Sequence, residues 1–369
     1  MTYNNTIIIS AVNFTEGGPL SILKKCVQEL SVYNVGQRYK VIVLVNSKNL
    51  LHEYDNVTYI EYSQPKKNWF FRVFYEYVYF FFVSLKFKPL IWLSLHDTTP
   101  NVRAKYRYVY MHNPSPFYEK KKGEKLIWKF RLFVSFYKFL YRLNVKRNTS
   151  VIVQQDWFRS KISDMFKINK DKIIVAYPEF MVPESFFYDG LYNKHTFFFN
   201  SFPREFKNFE VICQAADILN GHKDLGDDWN VYLTIDGTEN VYSRFVVDKY
   251  RNNPHIHFIG LVSREKCEEY YKTTEVLIFP SRLETWGLPI SEYKVYGKKM
   301  ILADLPYAHE TANGAKEVKF FDPTNAEQLA EIMNNVITGC ASFFSSVPKN
   351  VIMDPFCTSW AELFRIIIK

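Results

Sequence analysis

An alternation of short apolar runs with longer segments of helical periodicity is the feature that most constrains the fold. In the first half, the apolar runs 6–12 and 40–45 flank the segment 20–30, whose apolar residues recur at helical spacing. This order predicts a β-α-β unit, and hence a parallel sheet with helices on its faces. Further strand candidates in this half are 90–95, 108–111 and 150–153.

The same alternation returns in the second half. The strand candidates there are 196–199, 231–235, 255–259, 276–279 and 299–303, and 209–219 has helical spacing. The chain has 369 residues, which is enough for two hydrophobic cores. Because 178–192 contains prolines and a glycine and shows no clear period, it predicts a linker. We therefore expect two Rossmann-like, doubly wound α/β domains, 1–185 and 193–353.

Charge is divided unevenly between the two halves. Residues 1–190 contain 28 Lys and Arg against 15 Asp and Glu, a net +13, whereas residues 191–369 contain 19 against 23, a net −4. These sum to the net +9 of the chain. We therefore expect the two halves to have different functions. The aromatic share of 18% indicates a folded protein rather than a disordered one.

Cysteine usage and hydropathy bear on the compartment. The five cysteines are scattered and none forms a C-x-x-C pair, which argues against a disulfide framework and a structural zinc site and favours a reducing compartment. The apolar run 7–9 is too short for a signal peptide. Arg72 and Glu76 interrupt the apolar stretch 69–85, so we expect no transmembrane span.

The segment 276–292 is the most informative about chemistry. An apolar strand, 276–279, runs into a polar loop, and Pro289 suits the first turn of a following helix. The backbone N–H groups near Gly287 would then face a phosphate at the positive end of the helix dipole. Glu284 and Glu292 would lie beside it, and ionised carboxylates accept strong hydrogen bonds from sugar hydroxyls. On composition alone, two solvated glutamates, one in a loop and one in a helix, are the more common explanation.

The whole pattern, Glu284-x-Trp286-Gly287-Leu288-Pro289-x-x-Glu292 after a strand that ends in Phe-Pro-Ser, resembles the signature of the family-4 retaining glycosyltransferases, also called glycosyl transferases group 1. The similarity extends over most of 196–335. It implies the GT-B fold, in which two Rossmann-like domains face a central cleft, with a C-terminal helix within 354–369 crossing back to the first domain. It also implies that Glu292 holds the donor ribose, that Glu284 meets a hydroxyl of the transferred sugar, and that the donor diphosphate meets the backbone around Gly287 and Leu288, next to Trp286.

The same resemblance selects the loop 200–208, which includes Ser201. The family places an arginine and a lysine here to neutralise the donor diphosphate. Phe202 stands at the usual arginine position, so the role passes to Arg204, with Lys207 as the second cation. An exposed basic loop is the alternative.

Two features of the first half would serve the same reaction. Gly17 and Gly18 follow the first strand, where the family has a glycine-rich loop beside the phosphates and acceptor, although a plain turn explains them nearly as well. His96 and His112 each follow a predicted strand, on the acceptor side of the expected cleft. The resemblance implies that His112 lies near the reacting sugar; a structural histidine is the alternative for both.

Two stretches of the first half, Gln64–Lys88 and Lys120–Arg147, combine aromatic residues with cations. The second has apolar residues at helical spacing with lysines and arginines between them. Such a helix binds an anionic membrane surface, or it packs on the core with a basic outer face. No nucleic-acid recognition motif accompanies the charge.

These observations favour a cytoplasmic, metal-independent, retaining glycosyltransferase on the inner face of the cell membrane, with no cofactor beyond a nucleotide-diphosphate sugar. Its acceptor would be a glycan or lipid-linked saccharide in cell-surface polysaccharide or lipopolysaccharide synthesis. A nucleotide-sugar epimerase or a phosphorylase of the same fold, and a non-enzymatic basic membrane or nucleic-acid binder, remain as alternatives.

Overall fold

A computed structural model describes residues 2–117, 128–179, 190–340 and 342–368, without the side chains of residues 128–131, 133 and 223. The chain divides into two compact units. Unit 1 comprises Met1–Glu179 and Ile352–Lys369, and unit 2 comprises Phe180–Val351.

Each unit is built on one parallel sheet. The strands of unit 1 are β1 Asn4–Ala11, β2 Lys40–Val45, β3 Val57–Glu61, β4 Pro89–Ser94, β5 Tyr106–Met111, β6 Ser150–Val153, β7 Ile173–Ala176 and, from the chain end, β14 Phe356–Cys357. Those of unit 2 are β8 Asn193–Phe199, β9 Asn230–Leu233, β10 Ile256–Phe258, β11 Thr274–Phe279, β12 Lys299–Ala303 and β13 Val318–Phe321. The sheet orders are β14-β7-β6-β5-β4-β1-β2-β3 and β10-β9-β8-β11-β12-β13.

Helices connect the strands in both units. The helices of unit 1 are α1 Gly17–Tyr33, α2 Trp69–Phe74, α3 Phe80–Phe87, α4 Trp128–Arg142, α5 Asp156–Phe166 and α12 Trp360–Ile367, with a π-helical turn, Tyr75–Tyr79, joining α2 to α3. Those of unit 2 are α6 Phe209–Asn220, α7 Val241–Tyr250, α8 Arg264–Thr273, α9 Leu288–Lys294, α10 Pro306–Thr311 and α11 Ala326–Ile337.

The central strands are continuous apolar runs because both of their faces are covered. Every residue of β11 is buried, as are the last six residues of β1. Burial on both faces favours Val, Ile, Leu and Phe at consecutive positions instead of an alternating pattern. The edge strand β3 is partly exposed to solvent, so its sequence is not a continuous apolar run. The sequence analysis therefore does not predict it as a strand.

The C-terminal segment belongs to unit 1. Strand β14 pairs with β7, and the Trp360 ring of α12 stacks on Tyr110 with 5.6 Å between ring centroids. The predicted fold class, two doubly wound α/β domains with a C-terminal helix on the first, is confirmed. Among the helices in the described ranges, none is long and apolar enough to span a membrane.

Candidate functional site

Two loops of unit 2 meet because the strands before them are neighbours. Strands β8 and β11 pair in parallel, with Phe197 opposite Val276, so the segments 200–208 and 280–287 emerge at the same sheet edge. The loops are hydrogen-bonded to each other: Arg282 N–H donates to the Phe206 carbonyl over 2.7 Å, and the Arg282 guanidinium donates to the Glu205 carbonyl over 3.0 Å. Ligands of open parallel sheets bind at this edge.

Lys207 and Glu284, one from each loop, form an ion pair between Lys207 Nζ and Glu284 Oε1. The side chains are only 18% and 14% exposed. The carboxylate that the sequence assigns to the sugar therefore neutralises the ammonium that the sequence assigns to the diphosphate.

The other residues predicted in the loop 200–208 lie apart from this pair. Arg204 is exposed, with its guanidinium carbon 5.0 Å from the centre of the Phe202 ring. Ser201 donates its backbone N–H to Thr234 Oγ1 over 2.9 Å, which ties the start of the loop to the end of β9. Arg204 thus remains available for a ligand, while Ser201 is partly committed to the loop itself.

Glu292 has two partners that the sequence analysis did not single out. Arg264 Nη1 is bonded to Glu292 Oε1, and the Tyr271 hydroxyl donates to Glu292 Oε2 over 2.9 Å. Both partners come from α8, which packs near β8 and β11. A positively charged or aromatic residue in an amphipathic helix carries no sequence signal for such a contact, because the pairing depends on where the tertiary structure places α8 relative to the start of α9.

Gly287 occupies a conformation that its place in the motif requires. Its φ is 82°, and a Cβ there would lie 3.2 Å from Ile290 Cδ1 and 3.3 Å from Phe279 Cε1. Leu288 then starts α9, with Pro289 in the first turn. Trp286 is only 6% exposed, and its indole N–H donates to Ser291 Oγ over 2.9 Å, so its side chain holds the turn rather than facing outward.

Unit 1 has its own polar cluster at the ends of β1, β4 and β5. Asp97 Oδ1 accepts from the backbone N–H of His112 at 2.8 Å and from the Tyr141 hydroxyl at 3.0 Å. The His112 Nδ1 atom lies 3.4 Å from the same carboxylate oxygen. Burial lowers the pKa of the His112 imidazole, and the charge of Asp97 opposes this shift only in part.

Glu76 anchors the second histidine and was missed by the sequence analysis, which noted it only as a charge in an apolar stretch. Its side chain is 1% exposed and lies 2.9 Å from His96 Nδ1 and 3.2 Å from Arg72 Nε, with Thr98 also donating to it. Burial raises the pKa of this carboxyl, but His96 and Arg72 outweigh burial and bring the pKa down to about 2. His96 is itself buried, and its Nε2 is 3.1 Å from Ser10 Oγ.

These groups line a pocket of about 410 Å³ in unit 1. Its walls include Asn13, Lys66, Arg72, His96, His112 and Tyr137. The side-chain amide of Asn13 is buried, and neither of its polar atoms has a hydrogen-bond partner in the described part of the chain. Because a buried polar group without a partner is costly, the Asn13 amide is suited to exchange hydrogen bonds with a ligand in this pocket.

Gly17 and Gly18 begin α1 near this pocket, which Pro19 also lines. Gly17 has a φ of 62°, a conformation that favours glycine, and a Cβ at either position would meet nothing within 4 Å. The space beside both glycines is therefore open.

Comparisons with known proteins agree with this arrangement. Residues 192–340 match the family model of "Glycosyl transferases group 1". The O-antigen chain mannosyltransferase RfbU of Salmonella typhimurium strain LT2 is 24% identical over 269 residues, which are 70% of this chain and 70% of RfbU.

Solved structures share the fold over most of the chain. WaaG, a glycosyltransferase involved in lipopolysaccharide biosynthesis, superposes with a TM-score of 0.62 at 12% identity and covers 90% of each chain. Anabaena HepE, solved in complex with UDP-glucose, gives 0.58 at 13% identity over 93% of this chain and 96% of its own. The chain spans 48% of TarM, with a TM-score of 0.50 and 13% identity.

The matched residues, 192–340, contain the Lys207–Glu284 pair, Gly287 and Glu292. The similarity between this pattern and the glycosyltransferase signature is thus borne out by the family model and by the GT-B fold of the neighbours. Residues 192–340 thus carry a domain that matches the group 1 glycosyl transferases.

Proposed function

We propose that the protein transfers a sugar from a nucleotide-diphosphate sugar to a membrane-associated glycan or lipid-linked acceptor, with retention of configuration and without a metal ion. The process served would be the synthesis of cell-surface polysaccharide or lipopolysaccharide. The observation that carries this proposal is the Lys207–Glu284 ion pair at the carboxyl ends of β8 and β11. Glu292 is joined to the start of the loop that carries Lys207 through Tyr271 and Asn200. RfbU and WaaG support the process by their names, and HepE supports the class of donor.

In this proposal unit 2 binds the donor. Glu292 accepts from the ribose hydroxyls, Glu284 accepts from a hydroxyl of the transferred sugar, and the backbone at Gly287 and Leu288 meets the diphosphate. Arg204 and Lys207 supply the positive charge that the departing diphosphate needs, so no metal ion is required for that task.

Unit 1 would bind the acceptor in the pocket that His112 lines. The acceptor hydroxyl attacks the anomeric carbon from the face that the diphosphate leaves, and a diphosphate oxygen takes the hydroxyl proton as the glycosidic bond breaks. No protein nucleophile takes part. Asn13 and His112 hold the hydroxyls of the reacting groups in place, which lowers the barrier by positioning.

A donor screen followed by a transfer assay tests the proposal. Nucleotide sugars are compared by thermal shift, since a selective donor stabilises the folded state only. The selected donor, labelled in its sugar, is then incubated with membrane extract and with EDTA. We expect the label to appear in a saccharide or lipid-linked product whose anomeric configuration is the same as that of the donor. We also expect full activity in the presence of EDTA. Inversion of the anomer or strict dependence on added Mg²⁺ or Mn²⁺ contradicts the respective part of the proposal.

The same assay separates the alternative enzymes. An epimerase returns the label as a different nucleotide sugar without an acceptor, and a phosphorylase releases a sugar phosphate when phosphate is present. The comparisons favour neither.

We further propose that unit 1 approaches the inner face of the cell membrane. Four apolar residues at a spacing of four, Phe70, Phe74, Val78 and Phe82, are 41–75% exposed along α2 and α3. Leu132 and Phe139 of α4 are 58% and 59% exposed, and Trp69 links the two helices through its contact with Phe136, at 5.2 Å between ring centroids. Exposed Lys66, Lys67, Lys86, Lys138 and Arg142 belong to the same segments.

Aromatic side chains of this kind insert into the interface, and the cations meet anionic headgroups. In the stretch Lys120–Arg147, the cations Lys120, Lys121, Lys122 and Lys125 lie outside the described residues, and nothing is described of the Lys129 side chain. A test therefore uses Phe70, Phe82 and Phe139.

Cosedimentation with vesicles provides that test. Wild-type protein is expected to bind anionic vesicles, with part of the binding surviving 0.5 M salt because the apolar contribution is not screened. Replacing Phe70, Phe82 and Phe139 together by Gln should abolish the salt-resistant part. The matched control is Val241→Gln with Phe245→Gln, two exposed apolar residues of unit 2. If both variants bind anionic vesicles equally well, the proposed membrane association is wrong. The proposed transferase reaction is not affected by that result.

A further inference from the structure

The Glu292 carboxylate has two of its acceptor positions occupied by the protein. Arg264 Nη1 is bonded to one oxygen, and the Tyr271 hydroxyl donates to the other over 2.9 Å. An ionised carboxylate offers about four lone-pair positions. About two therefore remain, which is the number that the vicinal 2′ and 3′ hydroxyls of one ribose need.

Glu292, Tyr271 and Asn200 form a series of hydrogen bonds, and the direction of each bond follows from which atoms can donate. An ionised carboxylate can only accept, so the single Tyr271 proton points at Glu292. The Tyr271 oxygen must then accept from its other neighbour, and Asn200 Nδ2 lies 2.8 Å away. The amide oxygen of Asn200 is buried and has no partner in the described part of the chain. The contacts of Asn200 Nδ2 to the Tyr271 hydroxyl and, over 3.2 Å, to Cys267 Sγ therefore decide how this amide is turned.

The two partners of Glu292 differ in how firmly they are held. Arg264 is 42% exposed, whereas Tyr271 is 1% exposed. The Tyr271 ring packs against Phe198 and Tyr293, with centroids 5.8 and 5.7 Å away. An exposed arginine is screened by solvent and contributes little to rigidity, but a hydroxyl fixed in a packed core holds the carboxylate in one orientation.

We infer that Asn200 and Tyr271 are positioning residues, which hold the Glu292 carboxylate so that its free lone pairs face both hydroxyls of a ribose and the site selects a ribonucleotide over a 2′-deoxyribonucleotide. This inference rests on the proposed role of Glu292. Asn200 also begins the loop that carries Lys207, so one hydrogen-bonded chain places the groups for the ribose and for the diphosphate.

Selectivity, not affinity alone, is the property that such positioning changes. A carboxylate locked by Tyr271 leaves a lone pair without a partner when the 2′ hydroxyl is missing, and an unmet buried acceptor costs free energy. Once the hydroxyl of Tyr271 is removed, the carboxylate rotates toward whichever hydroxyl is present. The penalty for the deoxy ligand then shrinks.

Calorimetry with UDP or GDP, whichever the thermal screen selects, and with its 2′-deoxy form tests this inference. The wild type is expected to bind the ribonucleotide at least tenfold more tightly. In Tyr271→Phe this ratio should fall at least fivefold, and in Asn200→Ala it should fall in the same direction by a smaller factor. The matched control is Tyr293→Phe, which removes a hydroxyl bonded to the Thr274 carbonyl at 3.0 Å in the same aromatic cluster.

The outcomes separate the inference from the proposed function. If Glu292→Gln lowers the ratio and both Tyr271→Phe and Asn200→Ala keep the wild-type ratio, the positioning role is wrong and the donor site stands. If Glu292→Gln itself keeps the ratio, the ribose role of Glu292 fails and the inference fails with it. Should Tyr271→Phe melt too low for calorimetry, Asn200→Ala decides alone. If the ratio of ribonucleotide to 2′-deoxyribonucleotide affinity falls as far in Tyr293→Phe as in Tyr271→Phe, the cause is a general loosening of the core. That result overturns the inference.

Discussion

Lys207 and Glu284, 77 residues apart in the sequence, form an ion pair at the edge of the second sheet. One is the proposed ligand of the diphosphate and the other the proposed ligand of the transferred sugar. A donor molecule that binds both must replace their mutual contact, since the phosphate takes the lysine and the sugar hydroxyl takes the carboxylate. The pair therefore keeps each charge compensated until the donor arrives, and this relationship gives the first two predictions.

Glu284→Ala is expected to weaken the binding of the nucleotide sugar but not that of the bare nucleoside diphosphate. The variant lacks the acceptor for the sugar hydroxyl, so the nucleotide sugar should bind about tenfold more weakly, in line with about 1–2 kcal/mol for a hydrogen bond to a charged group. It also frees Lys207, so the bare nucleoside diphosphate should bind as well as before or more tightly. Calorimetry with both ligands checks this. Equal losses for the two would contradict the assignment of Glu284 to the sugar.

Arg204→Ala combined with Lys207→Ala should lower kcat at least a hundredfold, because negative charge grows on the diphosphate as the glycosidic bond breaks. Lys266→Ala serves as the control, because Lys266 is an exposed lysine of the same unit that pairs only with Glu269 among the described carboxylates. Initial rates at saturating donor measure the effect. A double variant with the turnover of the control would place the diphosphate elsewhere.

His112→Ala should reduce transfer strongly and leave nucleoside diphosphate affinity nearly intact, since His112 belongs to unit 1. The pKa of His112 is lowered by burial, so the imidazole is neutral at pH 7. Wild-type transfer should therefore stay constant as the pH falls through about 6.5, the ordinary pKa of histidine, and decline only below it.

The free energy of unfolding should also depend on the protonation of His112. Between the lowered folded pKa and the unfolded value of about 6.5, the unfolded chain binds the extra proton, so acid reduces the free energy of unfolding. The loss begins near pH 6.5 and stops below the folded pKa. His112→Gln should abolish this part of the pH dependence in urea unfolding. A variant whose transfer rate and unfolding curve match the wild type at every pH returns His112 to a purely structural role.

Glu76→Gln should destabilise unit 1 by about 3 kcal/mol at pH 7, because it leaves Arg72 buried without its counter-charge. The folded pKa of Glu76 is about 2, below the unfolded value of about 4.3, so its stabilisation is present above pH 4.3 and is lost as the pH falls toward 2. Urea unfolding at pH 7 and pH 3 checks this. The difference in the free energy of unfolding between variant and wild type should be smaller at pH 3 than at pH 7. An equal difference at both pH values contradicts a charge effect. Glu29→Gln, in a partly exposed ion pair with Lys25, is the control.

Some features follow from the sequence by itself, because they depend on local patterns. Buried parallel strands need consecutive apolar residues, so β1, β8 and β11 are visible as runs such as Thr196-Phe197-Phe198-Phe199. The motif around Gly287 is likewise local, since a left-handed turn before a helix start needs glycine and then proline within a few residues. These signals were enough to predict two α/β domains and the resemblance of 192–340 to the group 1 glycosyl transferases.

Only the tertiary structure determined which groups touch. Tyr271 reaches Glu292 across two separate helices, and His96 reaches Glu76 because a strand end and a π-helical turn meet in a core. A glutamate inside an apolar stretch looks like an interruption in the sequence, and only packing reveals that it is compensated by an arginine one turn away and a histidine 20 residues further on. Side-chain partners over such separations are chosen by the three-dimensional arrangement of whole elements, which no local periodicity encodes.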